Sequence, residues 1–187
     1  MIKIYNYGEV LSDEIFARAK SSMDVSGLVS DIIANVRKNG DSALFEYCEK
    51  FDGTKLEQLE VSSQEIEEAF SSVEPEFVRI LKKAAENIRK FHSKQVRNSF
   101  ILDEDGVVMG QKVIPIEKVG LYVPGGTAAY ASTVLMDSIP AKIAGCKQIV
   151  MVTPPNKEGK VASVILAAAK IAGVDRIFKV GGAQAVA

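Results

Sequence analysis

The residues best placed to do chemistry are Tyr122 and Gln184. Tyr122 stands just before Pro124-Gly125-Gly126, and Gln184 just after Gly181-Gly182. A tyrosine offers a flat face for a base or ring together with a hydroxyl. A glutamine amide both donates and accepts. Glycines lack a Cβ, so a ligand can approach their backbone closely. A helix start after them presents unpaired N–H groups to an anion. The chemistry these types suggest is binding of a nucleotide or a phosphate. The plain alternative is two ordinary turns, a core tyrosine and a surface glutamine, and spacing alone leaves both readings open. The dinucleotide fingerprint G-x-G-x-x-G is absent from the chain.

A reacting set is not evident. There is no nucleophile elbow, no P-loop, no H-E-x-x-H and no Cys/His pair. Carboxylates are plentiful but sit in helical patterns; Asp137 could face solvent or a partner. His92 is the only histidine, close to Arg89 and Lys90, and reads as a surface or capping residue. One histidine without a cysteine or carboxylate cluster cannot supply a zinc site. Cys48 and Cys146 lie far apart in apolar patterns. They read as buried inert thiols, which fits a reducing cytoplasm rather than a disulfide framework. No catalytic residue and no metal ligand is therefore assigned within the chain.

The elements that must position Tyr122 and Gln184 follow from the apolar runs. Residues 119–155 read as strand, glycine turn, helix, strand and a Thr153-Pro154-Pro155 turn. The continuous apolar runs suggest strands buried on both faces of a parallel sheet. Ligands gather at the carboxyl ends of such strands. The intervening helix carries Val134, Leu135, Ile139 and Ile143, and Pro140 should kink or split it. An alanine-rich helix over 161–172 and a third strand over 176–180 follow. The chain then stops in what reads as the start of an apolar helix, which suggests a fragment of a longer protein.

The first half is helical. Residues 2–20 read as an arm with a short helix. Val25, Leu28, Val29, Ile32, Ile33 and Val36 make one apolar stripe, capped by Asp24 or Ser26 and ended by Gly40. Asp41 should cap a second helix that carries Leu44, Phe45, Cys48 and Phe51 and closes at Gly53. Residues 56–61 alternate and suggest a short strand. Ser62 and Glu65 have capping-box spacing. Pro75 opens the longest helix, with Phe77, Val78, Leu81, Ala84, Ala85, Ile88 and Phe91 on one face. Residues 98–102 and 107–114 flank Asp105-Gly106, a hairpin turn signal.

Composition excludes several classes. The 187 residues are 47% hydrophobic and 25% charged, enough for a real core. With 23 basic and 24 acidic residues the net charge is −1, so nothing favours nucleic acid or an anionic membrane surface. No apolar run approaches the roughly 20 residues of a membrane span.

Several stretches together closely resemble histidinol dehydrogenase. They are Gly120-Leu121-Tyr122-Val123-Pro124-Gly125-Gly126, Ser132-Thr133-Val134-Leu135-Met136, Pro140-Ala141-x-Ile143-Ala144-Gly145-Cys146 and Val180-Gly181-Gly182-Ala183-Gln184-Ala185. Asn39-Gly40-Asp41-Ser42-Ala43-Leu44 and Phe51-Asp52 are similar too, so the resemblance runs through essentially the whole chain. It implies an α/β fold, with a mostly helical region over 1–98 and a hairpin plus βαβαβ region over 99–187. The latter would be a truncated, incomplete Rossmann-like parallel sheet. The resemblance further implies oxidation of L-histidinol to L-histidine with two NAD, by a zinc-dependent cytoplasmic homodimer. Tyr122 and Gln184 match NAD-contacting positions, and Pro124, Gly125 and Gly126 would shape that pocket. The family's zinc ligands and general base would lie past Ala187, so this chain alone is expected to be inactive. The alternative is a non-catalytic nucleotide- or phosphate-binding α/β module.

Overall fold

The computed structural model describes residues 4–15, 24–125 and 129–187. Helix α1 (Ser12–Ile15) is a single turn. Helices α2 (Ser26–Asn39) and α3 (Asp41–Tyr47) form the expected tight pair about Gly40, whose φ of 57° suits a glycine. The Asp24 carboxylate, not Ser26, serves the start of α2 by accepting the Ser26 N–H at 3.0 Å. Asp41 is the first helical residue of α3 and Gly40 its cap, so the capping role expected of Asp41 is not observed. The helix also ends early. Cys48–Asp52 forms a π turn before left-handed Gly53, which takes Phe51 off the α-helical path.

Helix α4 (Ser63–Ser72) starts with the full capping box: the Ser62 hydroxyl accepts the Glu65 N–H and the Glu65 carboxylate accepts the Ser62 N–H. Helix α5 (Pro75–His92) has proline in its first turn, as its sequence requires. Strands β1 (Phe100–Glu104) and β2 (Val107–Gln111) form the antiparallel hairpin, and every residue in both is exposed.

The second sheet is parallel, in the order β3 (Lys118–Tyr122), β4 (Gln148–Thr153), β5 (Arg176–Lys179). Helices α6 (Ala131–Ala144) and α7 (Ser163–Ala172) connect the strands. Pro140 does not split the helix, and α6 runs through it. Proline removes one N–H and thus one bond to the previous turn, and here the helix absorbs that local loss without dividing.

Leu121, Met151 and Ile177 share one row across the sheet. They face a single core that joins Ala69 of α4, Leu81 and Ala85 of α5, Val134 and Leu135 of α6, and Ile165 and Leu166 of α7. Helices α4 and α5 thus pack into the same core as α6 and α7, whereas Ile32 of α2 and Ala43 and Tyr47 of α3 form a separate small cluster. Among the described residues the opposite face is covered chiefly beside β5, where Cys48, Leu59 and Val180 pack with Leu44, Phe45 and Phe178. The expectation of strands buried on both faces therefore fails for β3. It is an edge strand with no fully buried residue, and Tyr122 is exposed. Residues 56–61 do not form a strand either. They run beside β5 with one antiparallel bridge, Glu60 to Phe178, and donate or accept at Val61 and Leu59.

Candidate functional site at the carboxyl edge of the parallel sheet

Parallel register brings the ends of β3, β4 and β5 to one edge, and the turns after them meet there. Pro154, the first residue after Thr153, forms the middle of this edge. A Cβ built on Gly125 would lie 2.7 Å from the Pro154 ring, and one built on Gly181 would also lie 2.7 Å from it. No side chain beyond hydrogen fits at either place without movement of the ring. Glycine is thus required on both sides of Pro154 by contact rather than by dihedral angle. Pro124 and Gly125 are exposed beside it. Gly126, the other predicted pocket residue, lies outside the described residues.

Tyr122 and Gln184 converge on Gly182. The Gly182 N–H donates to the Tyr122 hydroxyl at 3.0 Å. This bond spans the sheet above β4, because β3 and β5 are not neighbours. Gly182 has a φ of +65°, and a Cβ there would stand 2.5 Å from the Gln184 Oε1. The Gln184 amide therefore lies directly against the Gly182 backbone. Gln184 is only 3% exposed, in a one-turn 3-10 helix, Ala183–Ala185, where an apolar helix was expected to begin. Tyr122 is 41% exposed. The plain alternative of a core tyrosine and a surface glutamine is thus reversed in both halves.

Gln184 lines a cleft of about 450 Å³ on the partly covered sheet face, together with Val152, Phe178, Leu44, Phe45 and Asp41. Tyr122 shares a row with Val152 and Phe178 but does not itself line the cleft. At its rim Arg176 pairs with Glu60 through two bonds, at 2.8 and 2.7 Å, and its guanidinium lies 4.8 Å over the Phe178 ring. That hydrogen bonding, with the charge of Arg176, holds the Glu60 carboxyl below the usual range despite slight burial.

Sequence reasoning missed the role of Pro154, which reads only as a turn residue. It also missed Lys179, a lysine at an inward position of an apolar strand. Lys179 is 8% exposed, and its ammonium meets the Glu65 carboxylate at 2.5 Å. The alternation of β5, with Ile177 inward, was the available signal.

The remaining candidates have structural settings. The ring Nδ1 of His92 lies 2.6 Å from the Gln95 Oε1. Cys48 and Cys146 are free and buried, and burial with the nearby Asp52 pushes the Cys48 thiol up to about 11. Asp137 is exposed on α6, and partial burial raises its carboxyl. Among the described residues no group of three or more His, Cys, Asp or Glu side chains could hold a metal ion. No described helix is long and apolar enough to cross a membrane.

Comparison with known proteins agrees with this architecture. The crystal structure of histidinol dehydrogenase from Elizabethkingia anophelis is similar, with a TM-score of 0.86 and 39% identity over 90% of this chain and 39% of that one. The histidinol dehydrogenase of Clostridium acetobutylicum is 49% identical across 100% of the chain. That of Geobacillus kaustophilus is 54% identical across 85% of it. The chain spans 45% and 38% of the lengths of these two relatives. The histidinol dehydrogenase family model matches residues 16–187, and the chain belongs to that family.

Proposed function

We propose that this chain supplies cofactor-side residues of an NAD-dependent enzyme that oxidises L-histidinol to L-histidine. The observation that carries the reading is the convergence of Tyr122 and Gln184 on Gly182, at the carboxyl edge of a parallel sheet. Ligands of this fold class gather at that edge. The residues suit a dinucleotide. Tyr122 offers a half-exposed ring, and the Gln184 amide lines a cleft. Two NAD molecules bound in turn would supply the hydride acceptors for the alcohol and aldehyde stages of this oxidation. The protein's part at this edge is to orient the cofactor. Tyr122 would contact it through ring and hydroxyl and Gln184 through its amide, and Pro124 and Gly125 would shape the pocket.

Zinc has no donor set among the described residues, so no step is assigned to it here. The absence of a base and of metal ligands from the site leads to the expectation that the chain alone is inactive. Family membership also supports a homodimeric, cytoplasmic enzyme of histidine biosynthesis.

Calorimetric titration with NAD tests the reading, with Tyr122→Ala and Gln184→Ala beside the unaltered chain. Binding that is lost in both variants while their folds persist supports it. Binding that both variants retain removes Tyr122 and Gln184 from the cofactor site. NADH formed from histidinol and zinc by the chain alone would overturn the expectation of inactivity.

A further inference from the structure

Lys179 is the last residue of β5, and the turn that carries Gly182 and Gln184 begins two residues later. Its backbone and side chain are tied at three points. Its N–H donates to the Leu59 carbonyl at 2.7 Å. Its carbonyl accepts from the Cys48 thiol at 3.4 Å. Its ammonium meets Glu65, whose other carboxylate oxygen closes the capping box with Ser62 at 2.8 Å. One carboxylate therefore joins the start of α4 to the end of β5.

The lysine of this pair is buried and the carboxylate only partly so, with side chains 10% and 31% exposed, and the cost of taking the ammonium from water offsets much of the attraction. Methionine has a similar length and carries no charge. What the pair adds is direction: a short, charge-assisted contact is met at only one height of the strand relative to the helix.

We propose that Lys179 is a positioning residue, held by Glu65 so that β5 releases the 181–184 turn with the Gly182 N–H aligned on the Tyr122 hydroxyl. Its consequence for NAD rests on the cofactor reading above, whereas its consequence for Gly182 does not.

The test uses the amide resonance of Gly182 in the whole chain, with two references. Tyr122→Phe gives its position when the bond to the hydroxyl is absent. Leu81→Ala, a core change in α5, shows what loss of stability alone does. Lys179→Met is expected to move the resonance to the Tyr122→Phe position, while Leu81→Ala leaves it where it is in the unaltered chain. If Lys179→Met does not fold, Lys179→Met/Glu65→Gln removes both charges and retains an acceptor for Ser62, and the same shift is expected. A Gly182 resonance at its unaltered position in a folded lysine variant overturns the proposal. NAD affinity should fall about tenfold alongside the shift. A shift of the Gly182 resonance without any NAD binding by the unaltered chain would sustain the positioning role and sink the cofactor reading instead.

Discussion

The Tyr122 hydroxyl accepts the Gly182 N–H at 3.0 Å across the intervening strand, joining the first and third strand ends of the parallel sheet. Tyr122→Phe keeps the ring and removes the acceptor. The bond is solvent-accessible, so its loss should cost about 0.5–1.5 kcal/mol, read from urea unfolding. A variant as stable as the parent would mean that water replaces the hydroxyl without loss.

Pro154 separates Gly125 from Gly181, with both Cα positions against its ring. Gly125→Ala and Gly181→Ala should each destabilise the protein by about 1–3 kcal/mol through overpacking. Adding Pro154→Ala should recover much of the Gly125→Ala loss, because the atoms nearest that position are the ring Cγ and Cδ, but little of the Gly181→Ala loss, because the nearest atom there is the Cβ that alanine keeps. A double-mutant cycle measures the coupling, and strict additivity would show that the ring is not the obstacle.

Asp52 has a buried carboxylate oxygen, Oδ2, without a hydrogen-bond partner. Burial pushes its pKa up, and the Cys48 thiol offsets only part of this. A carboxyl whose folded pKa exceeds its unfolded one weighs against folding at high pH and ceases to do so once protonated in both states. Asp52→Asn should therefore raise the melting temperature at pH 7–8. The gain should fade as pH falls through the folded pKa toward the ordinary 3.8. A gain independent of pH would point to packing instead.

Asp175 ties α6 to the start of β4. It accepts from the Lys142 ammonium at 3.0 and 2.9 Å and from the Ile149 N–H at 2.7 Å. Burial would raise its carboxyl, but the bonds from Lys142 and Ile149 outweigh it and hold the pKa low. The contribution is thus present above the ordinary 3.8 and is lost as pH falls through the lower, folded value. Asp175→Ala should cost about 1–3 kcal/mol near neutrality, chiefly by leaving the Ile149 N–H unpaired. Thermal unfolding of both proteins from pH 7 down to pH 2 should show the two curves converging.

Local chemistry in the sequence determined much of this. The Ser62–Glu65 capping box, Pro75 at a helix start, the Asp105-Gly106 turn and the strand-glycine transitions depend on neighbours within a few residues, and each stands where the pattern puts it. The motifs around Tyr122 and Gln184 also carried the family, which the comparisons then gave. Tertiary structure decided what depends on distant segments. Hydrophobicity alone could not tell that one face of β3 stays open, because burial is set by what packs there and not by the strand's own residues. It could not tell that Gln184 is buried and Tyr122 exposed, since a turn's side chains go where the adjoining strand ends leave room. Nor could it give Glu65 its second partner: the capping box is local, but Lys179 arrives from 114 residues further along the chain only when β5 docks beside α4.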